Sequence, residues 1–159
     1  MKSIFLICLM TISMQALTKT QCELANQIYK YAKPFTPYPS TMVYIAGVET
    51  SYGDDTRLIG DDGRSIGYLQ IQVPTARQTA KWYPRKLGWM KKLTNEQIET
   101  LLLTNLQFSV RIATLYFEYN RKRFNYTRAV MLHNGGLHNW KYYNKVIAQR
   151  GIYQKCKQR

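Results

Sequence analysis

The chain has 159 residues, which is enough for one domain with its own core and leaves little room for a second. Hydrophobic residues make up 45% of it and charged residues 20%, a composition that excludes an intrinsically disordered chain. The formal net charge of +14 predicts an anionic partner, such as nucleic acid, an anionic membrane or a cell-wall polymer, although a basic surface also serves solubility.

The N-terminus is typical of a secretory signal peptide. Met1-Lys2 is followed by an apolar run from Ile4 to Met14 and then by small residues at which a signal peptidase can cut. We therefore expect residues 1–18 to be removed and residues 19–159 to form a single exported domain with a basic C-terminal tail. The apolar run is too short for a stable transmembrane anchor, although an uncleaved anchor is the alternative. Export to the periplasm or cell wall argues against nucleic acid as the partner.

Two cysteines remain once the signal is removed, because Cys8 lies within it. An even number of cysteines in an exported protein predicts a disulfide, here between Cys22 and Cys156. Such a bond closes almost the whole chain into one loop and stabilises the fold by about 4–5 kcal/mol if loop entropy is the cause. Two free thiols are the alternative.

Helical patterns follow one another along the chain. The first helix is predicted over residues 22–33, and a proline-rich linker then leads to a second helix with Ser40 as its N-cap and Glu49 near its end. Residues 52–64 combine glycines with four aspartates, so we expect a turn-rich loop with any short strands nearby. The remaining predicted helices cover residues 74–83, a segment opened by the capping box Thr94–Gln97, and residues 105–123, 127–134 and 138–150. The predicted fold is mostly α.

Glu49 places a carboxyl group on the apolar face of the second helix. Met42, Ile45 and Ala46 define an apolar stripe, and Glu49 continues that stripe at helical spacing. Removing a carboxyl group from water favours its protonated form, which is what a general acid needs. The alternative is that Glu49 flanks the helix end and reaches solvent.

Four segments carry a family pattern when they are taken together: Glu49-Thr50, Ser65 to Ile71, Asn105-Leu106, and Leu132-His133-Asn134-Gly135-Gly136. In order and spacing they resemble the motifs of lytic transglycosylases with the soluble-lytic-transglycosylase, goose-lysozyme-like domain. The resemblance covers roughly residues 22–136. It implies a mostly α, lysozyme-like α+β domain with a small irregular or β-containing segment beside the active-site cleft, and an enzyme that cleaves peptidoglycan glycan strands.

The resemblance also implies a role for individual residues. Glu49 would be the catalytic acid and base. Gln70 and Asn134 would hydrogen-bond the sugars or their acetamido groups, because an amide both donates and accepts. The other substrate-binding residues that it implies are Thr50, Ser65, Gly67, Tyr68 and His133, with Tyr68 as the one aromatic residue expected in the cleft. Asn105 and Gly136 would be structural.

Three positions depart from the family pattern. Thr50 replaces the usual serine and Tyr68-Leu69 replaces Leu-Met, and both changes keep hydroxyl or bulk. His133 stands where the family has a tyrosine that is expected to hydrogen-bond the catalytic carboxyl group. A histidine there can make the same bond while adding a titratable charge. A partly buried packing histidine is the alternative.

Glu49 is the single candidate carboxyl group that we expect within a helix. A glycosidase of the usual kind needs two carboxyl groups, whereas a lytic transglycosylase needs one and forms a 1,6-anhydro product without water. The loop aspartates, which we expect to be solvated turn residues, would otherwise supply a second carboxylate or a cation site: Asp54, Asp55, Asp61 and Asp62.

We expect neither metal nor cofactor, a monomer, and peptidoglycan strands as the partner. A hydrolytic muramidase and a non-catalytic peptidoglycan-binding module are the alternative functions. Enzymes of this kind serve secretion, conjugation or phage entry, so an assembly of one of these types is a further expected partner, and a phage-associated protein is the alternative to a bacterial one.

Overall fold

The computed structural model describes residues 17–53, 59–60 and 64–157. The predicted signal peptide and the four loop aspartates lie outside these residues, apart from the last two residues of the predicted signal. In chain order the described α-helices and strands are α1 (Lys19–Ala32), α2 (Pro39–Thr50), β1 (Ile59–Gly60), β2 (Ser65–Ile66), β3 (Ile71–Gln72), α3 (Val73–Trp82), α4 (Pro84–Leu87), α5 (Asn95–Thr104), α6 (Leu106–Arg123), α7 (Tyr126–His133) and α8 (Trp140–Lys157). The mostly α class is therefore confirmed.

The strands form a small antiparallel sheet in the order β1-β2-β3, close to the predicted turn-rich loop. Ile66 in the middle strand pairs with Ile59 on one side and with Ile71 on the other. The turn between β2 and β3 is closed by a hydrogen bond of 3.0 Å from the Gln70 backbone N–H to the Gly67 carbonyl. Gly67 and Gln70 both have left-handed backbones there, with φ of 75° and 47°.

Helix starts are where the predictions needed correction. Helix α1 begins at Lys19, because Thr18 and Gln21 form a capping box just before the predicted start. Helix α2 begins at Pro39, and Ser40, the predicted N-cap, lies inside it. Proline suits a first helical turn, since its φ is already helical and its missing N–H has no helical partner there.

The C-terminal tail is helical, which also corrects the prediction. Helix α8 continues past residue 150 to Lys157, because Tyr153 and Cys156 are buried against the core. Within the described ranges, no helix combines the length and the apolar character needed to cross a membrane.

Helices α2 and α6 organise the packing. Helix α2 lies between α1 and α8, while α6 contacts α1, α3, α5 and α7. The stripe predicted on α2 is in the core, with Met42, Ile45 and Ala46 fully buried. The C-terminal end of α2 contacts the first turn of α8, where Tyr142 lies beside Glu49.

A disulfide joins Cys22 on α1 to Cys156 on α8, as predicted. The two Cα atoms are 5.4 Å apart and the residues are 134 positions apart in sequence. The bond therefore ties the first described helix to the last.

Gly67 is a position where only glycine fits. Its φ is +75°, and a Cβ built on it would lie 2.3 Å from the backbone oxygen of Leu102. We expect Gly67→Ala to lower the free energy of unfolding by about 2 kcal/mol or more, because it adds left-handed strain to a clash with backbone. The matched control is Gly88→Ala, since Gly88 has a φ of −59° and no neighbour within 4 Å of its Cβ position. Equal urea midpoints for the two variants would contradict this account.

Candidate active site

Glu49 lies near the C-terminal end of α2 and is half-buried. Its Oε1 accepts a hydrogen bond of 2.5 Å from the hydroxyl group of Tyr142, a buried residue in the first turn of α8. Burial first, and then the neighbouring Glu49 carboxylate, raise the pKa of Tyr142 far above its ordinary value. The Tyr142 hydroxyl group therefore stays protonated and remains a donor to Glu49.

A cavity of about 440 Å³ opens on one side of Glu49. Four of the predicted substrate-binding residues line it together with the predicted catalytic residue. Among the described residues its lining, drawn from α2, the sheet, α3, α6 and the end of α7, is Glu49, Ser65, Gln70, Ile71, Gln72, Thr75, Tyr116, Leu132, His133, Asn134 and Gly135. Its described polar groups are hydroxyls, amides and one imidazole, besides the Glu49 carboxyl group.

A second cavity, of about 350 Å³, lies on the other side of Glu49. It is lined by Val48, Glu49, Asn134, Asn139, Lys141, Tyr142 and Lys145. Glu49 and Asn134 line both cavities. We name the first the neutral cavity and the second the lysine cavity. The two cavities adjoin at Glu49 and Asn134, and we call them together the cleft.

Two amide side chains in the lining of the neutral cavity are held by hydrogen bonds within the protein. Asn134 Oδ1 accepts a hydrogen bond of 3.0 Å from Asn139 Nδ2, which leaves its own Nδ2 as a donor. Gln70 Nε2 donates to the Gly67 carbonyl at 2.9 Å, and its Oε1 lies against Gly60. Both amide groups therefore have fixed orientations in the lining of the cavity.

His133 does not hydrogen-bond the Glu49 carboxyl group, which the sequence had allowed. Its Nε2 lies 2.8 Å from the backbone oxygen of Leu69, and because a carbonyl oxygen only accepts, Nε2 carries the hydrogen. Its ring lies parallel to that of Tyr142, with centroids 6.5 Å apart. The hydroxyl group that bonds Glu49 comes instead from Tyr142. Sequence reasoning missed Tyr142, since it lies beyond the four segments.

Two predicted substrate-binding residues have structural contacts instead of lining either cavity. Thr50 is buried, and its hydroxyl group lies 3.2 Å from the carbonyl oxygens of both Ala46 and Tyr68. This hydroxyl group joins the end of α2 to the turn between β2 and β3. Gly67 in the same turn packs on the backbone of Leu102. Both residues therefore hold in place the backbone of the turn between β2 and β3, next to the cleft.

Among the described residues, the tyrosine that lines the neutral cavity is Tyr116 and the one that lines the lysine cavity is Tyr142, where the sequence favoured Tyr68. The Tyr68 ring packs next to Gly53 and lines neither cavity. Tyr116 on α6 lines the neutral cavity, donates to the Leu132 carbonyl at 3.3 Å and stacks on Trp82. No motif distinguishes Tyr116 from the other tyrosines of the chain.

The two residues expected to be structural have different environments. Asn105 caps α6, since its side-chain oxygen accepts from the Phe108 backbone N–H at 2.9 Å. Gly135, with a φ of +81°, makes the left-handed turn after α7. Gly136 has no such requirement, because a Cβ on it would make only an ordinary contact of 3.9 Å with Asn139.

Glu49 is the one carboxyl group that the described residues contribute to the cleft. Glu118 on α6 is also buried within a helix, contrary to the expectation of a single such carboxyl group. It accepts hydrogen bonds from Thr36 at 2.6 Å and from Arg121 at 3.0 and 2.8 Å, and it lines neither cavity. Its contacts are those of a structural ion pair.

No protein-family model, curated protein or solved structure matches the chain. The residues of the cleft and the resemblance of the four segments are what indicate a function.

Proposed function

We propose that the protein is an exported lytic transglycosylase that cleaves the β-1,4 bond between N-acetylmuramic acid and N-acetylglucosamine in peptidoglycan. The observation that carries the proposal is the half-buried Glu49 carboxyl group, which Tyr142 holds where two cavities adjoin. The order of the four motif segments supports the same assignment.

Bond cleavage begins with Glu49 as the acid. Tyr142 donates to Oε1, so the acidic proton belongs on Oε2, which has no partner in the described part of the chain. That proton passes to the glycosidic oxygen as the bond from this oxygen to C1 of the muramyl ring breaks. The acetamido group of the same sugar supports the positive charge that develops at C1, which removes the need for a second protein carboxylate.

Glu49 then acts as the base. Its carboxylate removes the proton from the C6 hydroxyl group of the muramyl ring, and the C6 oxygen bonds to C1 of the same ring. The products are a 1,6-anhydro end and a free hydroxyl group on the leaving sugar. Glu49 regains its proton, and no water is consumed.

The amide side chains of the neutral cavity suit an acetamido substituent. Such a group has one N–H donor and one carbonyl acceptor, and the amides of Gln70 and Asn134 in the lining carry both kinds of group. Ser65 and Thr75 add hydroxyl groups to the same lining. The neutral cavity therefore has the chemistry of an N-acetyl sugar subsite.

Export is part of the proposal. The disulfide between Cys22 and Cys156 fits an oxidising compartment such as the periplasm. The net charge of +14 favours association with anionic wall material, and the signal-like N-terminus supplies the route.

The mass of the products tests the proposed reaction. Purified peptidoglycan digested with the protein is expected to release muropeptides that are lighter by one water than those from a muramidase. Products with reducing ends would show the hydrolytic alternative. Binding to peptidoglycan without release of any product would show a non-catalytic module.

Tyr142 is expected to position Glu49 for both steps. Tyr142→Phe removes the hydroxyl group and keeps the ring. We expect kcat to fall by about 10–100-fold with little change in KM, because a fall of that size corresponds to the loss of one hydrogen bond to a charged group.

Tyr143→Phe is the matched control for Tyr142→Phe. Tyr143 is the next residue on α8, and it lines neither the neutral nor the lysine cavity. Steady-state rates over a range of pH compare the two variants. A positioning role for Tyr142 is excluded if they behave alike.

A further inference from the structure

The two sides of the cleft differ in charge. Among the described residues, the neutral cavity has no lysine or arginine in its lining, whereas the lysine cavity has Lys141 and Lys145. The two cavities meet at Glu49 and Asn134, so a strand that crosses the catalytic carboxyl group passes from a neutral surface to a cationic one. Such asymmetry fits a substrate whose charge lies on one side of the bond that is cleaved.

Lys141 and Lys145 are placed to act together. They are four residues apart on α8, so they project from the same face of the helix. Both are exposed, and no acidic side chain of the described residues lies within 4.0 Å of either ammonium group. Their charge is therefore available to an anion that enters the lysine cavity.

The position of Lys141 is electrostatically unfavourable in the protein alone. It is the second residue of α8, and the N-terminal end of a helix carries partial positive charge. Lys155 and Lys157, in the last turn of the same helix, have the favourable placement. An anion bound beside Lys141 would offset the repulsion.

We propose that Lys141 and Lys145 bind the carboxylates of the peptide stem that a muramyl residue carries, so that the enzyme selects glycan strands that still have their stems. The inference rests on the proposed function, which supplies the glycan. Amino sugars with acetamido groups are neutral, and the stem carboxylates are the anions that peptidoglycan strands themselves bring to the cleft. An ammonium group with three rotatable donors suits carboxylates at the end of a flexible peptide.

The test uses soluble glycan strands with intact stems and the same strands after an amidase has removed the stems. The variant is K141Q/K145Q, which removes two charges and keeps side chains of moderate length. The control is K91Q/K92Q, which makes the same charge change at two exposed lysines that line neither cavity.

Two ratios are measured for each protein: the ratio of kcat/KM for strands with stems to that for stripped strands, and the same ratio for binding constants in a Glu49→Gln background. We expect both ratios to favour stems in the parent and to fall by roughly 5–10-fold in K141Q/K145Q, as for two exposed ion pairs. K91Q/K92Q should keep the parent ratios. Raising the salt concentration should lower the parent ratios, because exposed charges are screened.

The inference is overturned if the parent binds both kinds of strand equally, or if K141Q/K145Q loses affinity for both by the same factor. The second result would indicate a general attraction to anions in place of stem recognition. If no protein cleaves either strand and the binding ratio still depends on the two lysines, the catalytic proposal fails and stem recognition stands.

Discussion

Replacing Glu49 by glutamine is expected to lower the rate of glycan cleavage by roughly 10²–10⁴-fold, the range in which a general acid and base contributes. A glutamine side chain neither donates an acidic proton to the glycosidic oxygen nor accepts the proton of the C6 hydroxyl group. Its amide oxygen still accepts the hydrogen bond from Tyr142, so the variant should keep the fold and the shape of the cleft. The measurement is the release of soluble muropeptides from purified peptidoglycan, alongside the thermal melt of each protein.

Glu23→Gln is the control for Glu49→Gln. Glu23 lies on the exposed face of α1, where its ion pair with Lys19 at 4.0 Å is of the kind that contributes little. Its variant should cleave peptidoglycan at the parent rate. If Glu49→Gln releases muropeptides as fast as Glu23→Gln does, then Glu49 is not the catalyst.

Local signals allowed much of the helical structure to be predicted. The capping box at Thr94 and Gln97 is present, and Asn105 caps the long helix that was expected from its apolar spacing. Such signals work because the groups that satisfy a helix end lie within three residues of it. The predicted start of α2 was wrong for a similar local reason. Pro39 fits the first helical turn, so the helix begins there and Ser40 lies inside it.

The position of Glu49 could also be predicted from the sequence, because helical periodicity determines on which face of α2 it lies. The stripe of Met42, Ile45 and Ala46 is buried, and Glu49 at the end of that stripe is half-buried beside a cavity. The hydrogen-bond partner of Glu49 could not be predicted from the sequence. Tyr142 is 93 residues away in sequence, and only the packing of α8 on α2 brings it to the carboxyl group.

The lysine cavity escaped prediction for the same reason. Lys141 and Lys145 belong to a chain with 23 basic residues, in which two more lysines carry no information by themselves. They line a cavity beside Glu49 because the first turns of α8 lie against the end of α2. Sequence thus indicated the environment of Glu49, whereas tertiary packing determines which groups surround it.

Removal of the disulfide is expected to have the largest effect on stability. A bond between residues 134 positions apart restricts nearly all of the unfolded chain, so its loss should lower the free energy of unfolding by about 4–5 kcal/mol if loop entropy is the cause. For a domain of this size that corresponds to a fall in Tm of roughly 8–20 °C. The double variant C22S/C156S avoids leaving one free thiol, and urea unfolding measures the change.

Reduction provides the control for that variant, since a thiol reductant should lower the Tm of the parent to that of C22S/C156S and leave the variant unchanged. Cleavage at low temperature should survive the loss of the bond. Tyr142 and Cys156 are fourteen residues apart on α8, or about 21 Å along the helix, and the end near Tyr142 is held by α2 and α7. A variant that is as stable as the parent would mean that the bond contributes little to the fold. A variant that is folded but inactive in the cold would mean that the far end of α8 controls the site.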